Sequence, residues 1–200
     1  MAVYKSKLKF LNSEDKNSPN KPKHNYYKNE TAIKNLVAYI FRENKGGIRY
    51  GNTLNLGFGD ASTLADQIIR VQKYFEKNKD RRMYHFELSY EEKPTPENAK
   101  HLFSVAEKIV QTFFKDTQIC YAIHEDTQHI HVHFAFSAVT INGKKWNMRN
   151  KEFRIFMHQI QELADYLMGQ HFLSSTSIPC IAHPVSGNQI MKPANIEDLI

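Results

Sequence analysis

A chain of 200 residues that is 41% hydrophobic suits one domain with a core of its own. No apolar run approaches the roughly 20 residues of a membrane span, and the lysine-studded N-terminus lacks a signal-peptide core, which argues against membrane insertion. Cys120 and Cys180 match no metal or redox spacing, so a reducing cytoplasm is the default.

The net charge of +6 is unevenly spread. Residues 1–30 set seven Lys against Glu14, Asp15 and Glu30, and residues 144–154 set Lys144, Lys145, Arg149, Lys151 and Arg154 against Glu152, a net of +4 in each case. The remainder of the chain is slightly acidic. Two concentrated positive segments favour a polyanion partner over a merely solvated face.

In chain order, Val3 to Leu11 alternates apolar and basic residues as an edge strand does, with lysines that discourage stray pairing. Asn12 to Asn29 is rich in Asn, Ser, Pro and Lys and reads as a loop able to order on a ligand. Thr31 to Asn44 places Ile33, Leu36, Val37, Ile40 and Phe41 at helical spacing, with Tyr39 off that stripe. Ile48 to Phe58, with Gly51 and Gly57, reads as irregular strand or loop. Asp60 or Ser62 caps a helix through about Asn78, with Leu64, Ile68, Val71 and Phe75 inside.

Arg82 to Glu91 alternates as a strand, with Met83, His85, Glu87 and Ser89 on one face and Tyr84, Phe86, Leu88 and Tyr90 on the other. Thr95-Pro96-Glu97 starts a helix to about Lys115. Gln118 to His124 is the next strand. Glu125 to Gln128 is the hairpin loop that would set His124 opposite His129. His129, His131 and His133 then share one face, and Ile130, Val132, Phe134 and Phe136 share the other. After a turn at Asn142-Gly143 comes the basic segment with Trp146, either a base-stacking or a packing residue. Lys151 to Phe172 is a last helix, with Phe153, Phe156, Ile160, Leu163 and Leu167 inside, followed by an irregular tail.

The expected architecture is a two-layer α+β domain. A central antiparallel sheet carries a metal-binding hairpin, and helices 61–78, 95–115 and 151–172 pack on the other face. Helix 31–44 brings Tyr39 to the histidines. The domain organisation reads as a basic strand and flexible loop over 1–30, the domain proper over 31–172, and a tail over 173–200. Imidazole binds divalent first-row metals, and three histidines that leave positions open make a catalytic rather than a structural site.

His124-Glu125-Asp126-Thr127-Gln128-His129-Ile130-His131-Val132-His133 resembles the metal motif of the HUH endonuclease superfamily, and within it the relaxases of the VirD-type MOB-P class. The resemblance implies His131 and His133 as the core of the triad, His124 as its third member with His129 a competitor, and Asp126 as a supporting or acid/base carboxylate. Leu36-Val37-Ala38-Tyr39-Ile40-Phe41-Arg42 looks like the motif of the nucleophilic tyrosine. Ser89, after Tyr84-His85-Phe86-Glu87-Leu88, holds the place of a serine that contacts DNA near the nick, and a turn serine bonded to its own backbone is the plain alternative. Ser137 stands where the family often has Asn.

That resemblance implies nicking of single-stranded DNA at a transfer origin through a 5′-phosphotyrosyl intermediate. A divalent metal would assist, Mg or Mn before Zn, Ni or Co. Lys144, Lys145 and Arg149 would hold the strand, and accessory transfer proteins and a type IV coupling protein would be partners. The rival readings are a transposase or replication initiator using Tyr166 on a later helix, a metal-dependent hydrolase or oxygenase using water or oxygen, and a DNA-binding module without catalysis.

Overall fold

The computed structural model describes residues 6–11, 27–45 and 47–175. Residues 3–5 of the expected first strand, most of the lysine-rich loop and residues 176–200 of the expected tail lie outside the described residues.

Ten elements follow one another: β1 (Lys7–Leu11), α1 (Glu30–Ile40), a single 3-10 turn (Glu43–Lys45), β2 (Gly51–Leu54), α2 (Ala61–Tyr74), β3 (Met83–Ser89), α3 (Pro96–Phe113), β4 (Thr117–His124), β5 (His131–Thr140) and α4 (Asn150–Ser175). The strands form one sheet in the order β1-β3-β5-β4-β2, with every neighbouring pair antiparallel. Helix starts are set by side chains that accept otherwise orphaned backbone N–H groups: Asn29 from Ala32, Asp60 from Thr63 and Thr95 from Asn98, the last with Pro96 at the first helical position.

The α+β class and the antiparallel sheet are as expected, but the distribution of helices differs. Every residue of β4 and β5 is buried, because helices cover both faces. On one face Phe86, Leu88, Ile119, Tyr121, Ile123, Val132, Phe134 and Phe136 pack against Leu102, Ile109 and Val110 of α3 and Ile160 and Leu163 of α4. On the other, Met83, Cys120, Ala122 and Ala135 pack against Ile33, Val37 and Ile40 of α1 and Leu64, Ala65 and Ile68 of α2. Helix 61–78 was expected opposite the histidines, and it lies on their face beside α1. The small side chains Cys120, Ala122 and Ala135 make room for it. Each large aliphatic buried in these layers stabilises by about 1.5–3 kcal/mol.

Two helices also stop early. α1 ends at Ile40, four residues before the expected Asn44, because Arg42 adopts φ +54°, and α2 ends at Tyr74 ahead of Glu76 at φ +56°. Gly143, at φ +75°, makes the expected turn, and a Cβ there would meet the Phe75 ring.

Candidate active site

The register of the sheet assembles the site. His124 pairs with His131, and Ser89 pairs with His131 from the other side. One step along, His133 lies between Ala122 and Glu87. Directly opposed residues share a face, so His124, His131, His133, Glu87 and Ser89 form one patch.

His124, His131 and His133 can each offer a ring nitrogen, and those atoms all lie within 4.8 Å of one another. His129 does not pair with His124 as expected. It sits in the loop before β5, exposed, with Nδ1 3.1 Å from the Glu91 carbonyl. The loop is two residues longer than expected because Ile130 is drawn to the segment after β3, donating its N–H to the Glu92 carbonyl and accepting from Tyr90 N–H.

Helix α1 brings Tyr39 to the same patch. Its hydroxyl lies 3.3 Å from His133 Nε2, and its ring meets those of His85, His124 and His133 edge-on at centroid distances of 5.9, 5.5 and 5.2 Å. Tyr39 is 45% exposed, so the residue packs on the histidines while much of it remains open to solvent. Tyr166 belongs to α4, which packs on the opposite face, and the sheet stands between it and the histidines.

The three rings fit a metal by their hydrogen bonding. His131 Nδ1 faces the His129 carbonyl at 3.1 Å, leaving Nε2 as the lone-pair nitrogen. His133 Nδ1 faces His85 Nε2 at 3.0 Å, an imidazole that can donate or accept, and its Nε2 is turned toward the triad. His124 Nε2 donates to the Ile40 carbonyl at 2.9 Å, so its lone pair is on Nδ1, where it accepts from the Arg42 guanidinium at 2.8 Å. In each ring one nitrogen is tied back and the other is free or exchangeable, the arrangement that orients metal-bound histidines. Neutrality is built in as well. Burial, aided by neighbouring imidazoles and Arg42, pushes His124 down to about 4 and His133 far below the ordinary histidine range.

Several participants carried no assigned role from sequence. Arg42 lies between His124 and the Asp126 carboxylate, 2.7 Å from the latter, with its guanidinium 5.5 Å from the Tyr39 ring centroid. Asp126 therefore reaches the triad through Arg42. Partial burial works to raise its carboxyl, but Arg42, its own backbone N–H and Lys45 outweigh that and lower it. Glu87 Oε2 stands 3.8 Å from His133 Nε2. Burial raises the Tyr39 phenol above its ordinary value; Arg42 opposes this, and Glu87 and Asp126 add to it. Period-2 alternation in sequence had already put His85 and Glu87 on the face of Ser89, but the pairing partner of that face was not visible.

The positive charge is redistributed too. Lys7 and Lys9 of β1 pair with Ser89 and Glu87, so they share the histidine face, and both are exposed. Lys7 is two strands from His131, roughly 10 Å away. Lys144, Lys145 and Arg149 follow the far end of β5, which the strand rise places roughly 30 Å from His131. Lys145 donates to the Lys79 carbonyl at 2.8 Å, and Arg149 chelates Glu152. Trp146 is a packing residue, donating to Thr117 and lying against Phe114, Phe136 and Phe156. Ser137 is buried and bonded to Gln72 of α2.

Residues 39–166, well over half of the chain, match the family model described as the MobA/VirD2-like relaxase nuclease domain. No curated protein matches the chain. The family match and the five-stranded sheet with its histidine patch agree, and the chain belongs to the MobA/VirD2-like relaxases, nucleases that nick DNA in conjugative mobilization.

Proposed function

We propose that this protein nicks one DNA strand at a transfer origin by metal-assisted transesterification with Tyr39 as nucleophile, as a relaxase of the MOB-P type acting in a bacterial cytoplasm. The observation that carries the proposal is the Tyr39 hydroxyl 3.3 Å from His133 Nε2 in a triad whose candidate ligand atoms lie within 4.8 Å of one another.

His131 Nε2, His133 Nε2 and His124 Nδ1 would hold a divalent ion, Mg or Mn first. Bound there, the ion would neutralise charge on the scissile phosphate and favour the phenolate. Tyr39 needs that help, since its surroundings raise its pKa. The Tyr39 Oη–P bond forms as the P–O3′ bond breaks, the phenolic proton passes to Glu87, whose Oε2 stands 3.8 Å from His133 Nε2, and the 3′ oxygen leaves as an alkoxide that takes a proton from water to become a hydroxyl. The 5′-phosphotyrosyl link conserves the phosphodiester, so rejoining is the reverse step. Asp126 holds Arg42 in place. His124 would exchange its bond to Arg42 for the ion, leaving the guanidinium to pair with phosphate.

Lys7, Lys9 and Ser89 supply a cationic, hydrogen-bonding floor beside the triad for a single strand. Lys144, Lys145 and Arg149 would engage DNA at a distance from the nick, and accessory transfer proteins and a type IV coupling protein would be partners. Neutralising Lys7 and Lys9 together should weaken single-strand binding and reduce its salt slope by about 1.4, whereas neutralising Lys144, Lys145 and Arg149 should change affinity without altering the cleavage position. Filter binding across a salt series measures the affinities and slopes, a sequencing gel of the products gives the cleavage position, and equal, unchanged slopes would place all five charges on an idle face.

The direct test is a denaturing gel of protein incubated with single-stranded origin DNA and Mn²⁺ or Mg²⁺. A covalent adduct that disappears with chelator supports the reading, and strand cleavage without an adduct makes water the nucleophile. In the same protein His131→Ala and His133→Ala should each weaken Mn²⁺ binding by more than about 100-fold, beyond the usual loss on removing an outer partner. His129→Ala should stay within about threefold, a small effect on this scale. Titration calorimetry reads these affinities, and an equal loss at His129 would overturn the ligand set.

A further inference from the structure

His133 differs from the other two histidines in what holds its second nitrogen. His131 and His124 are tied to backbone carbonyls, those of His129 and Ile40. His133 Nδ1 instead meets another imidazole, His85 Nε2, at 3.0 Å, and His85 Nδ1 meets the Tyr27 hydroxyl at 3.0 Å. All three groups are buried, at 1%, 4% and 8% exposure. Tyr27 is itself anchored, its carbonyl accepting from Arg82 N–H and its ring lying in the layer formed by α1 and α2. Glu87 is on the other side of the His133 ring, toward Nε2, and does not reach Nδ1.

We propose that His85, held by Tyr27, is the positioning residue that keeps the His133 proton on Nδ1 and turns the Nε2 lone pair toward the metal. This rests on the metal reading above. A neutral imidazole has one N–H and one lone pair, so the chain has a forced direction once His133 ligates through Nε2. His133 Nδ1–H donates to His85 Nε2, and the single proton of His85 is then on Nδ1 and donates to the Tyr27 oxygen. Tyr27 and His85 thereby set both the tautomer and the plane of a ring that would hold the ion.

The test compares Mn²⁺ affinity, read by the electron paramagnetic resonance of free Mn²⁺, in wild type, His85→Leu, His85→Gln and Tyr27→Phe. Thermal midpoints of the metal-free proteins report the fold separately. His85→Leu should weaken binding 10–100-fold, the usual effect of losing a ligand's outer partner. His85→Gln, whose amide oxygen can accept from His133 Nδ1–H, should stay within about threefold, with Tyr27→Phe between the two. Independently of any variant, ¹⁵N-histidine resonances of wild type loaded with diamagnetic Zn²⁺ should show the His133 proton on Nδ1. A His85→Leu protein that binds Mn²⁺ like wild type, a His85→Gln protein as weak as His85→Leu, or a proton absent from His133 Nδ1 overturns the inference while leaving the metal reading intact. Wild type that takes up neither ion overturns the metal reading, and this inference with it.

Discussion

Tyr39→Phe should abolish the covalent protein–DNA adduct and strand cleavage together, while Mn²⁺ and single-strand DNA binding persist. The substitution removes one oxygen. Its hydrogen bond to His133 Nε2 is long at 3.3 Å, so the cost to stability is at most about 1 kcal/mol. The ring keeps its edge-on contacts with His85, His124 and His133 and stays near the Arg42 guanidinium, so the pocket is not emptied. What disappears is the oxygen proposed to attack phosphorus. An adduct surviving in Tyr39→Phe would place the nucleophile elsewhere. Tyr166 would be tested first, although the sheet separates α4 from the histidines.

The second large effect is acid destabilisation of the metal-free protein. Burial lowers His124 to about 4 and His85 to about 3, and drives His133 lower still. In the unfolded chain these side chains protonate near 6.5. Below that pH the unfolded state binds more protons than the folded one, so stability is complete above pH 6.5 and falls as pH drops toward 4. Each buried histidine costs on the order of 1 kcal/mol per pH unit in that window, and three together rival the roughly 5–15 kcal/mol that holds a domain folded. Thermal midpoints between pH 7.5 and 4.5 should therefore fall steeply, and His85→Gln should flatten the slope. A flat profile would mean that the rings are not desolvated as described. The same depressed values keep His124 and His133 unprotonated, so acid should remove these two proposed ligands below the ordinary histidine range rather than at it.

Much of this was readable in the chain because it is local. Alternation alone put His131 and His133 on one face, and helical spacing left Tyr39 off the apolar stripe. The pairing of His124 was misread because it depends on Ile130 leaving the hairpin for Tyr90 and Glu92, contacts nearly forty residues apart in sequence. The side on which α2 packs was misread because an amphipathic stripe says that a helix buries a face, not against which surface. A signal did exist: Cys120, Ala122 and Ala135 are small where Ile119, Tyr121 and Phe134 across the sheet are large, as a face approached closely by helices requires. His85, Glu87, Lys7 and Lys9 gained their meaning only from strand register, which is non-local and which alternation cannot supply.

The burial of β5 on both sides has a consequence for how such a gene can change length. One residue added within the loop of Glu125 to Ile130 lengthens a connection and leaves both layers as they are. One residue added after His131 would turn every later side chain of the strand over, sending His133 into the place of Phe134 beside Phe86 and setting Val132 in the place of His133. Length changes are therefore expected to be tolerated only in the loops on either side of the strand, and the ten residues of β5 can be exchanged but not counted differently.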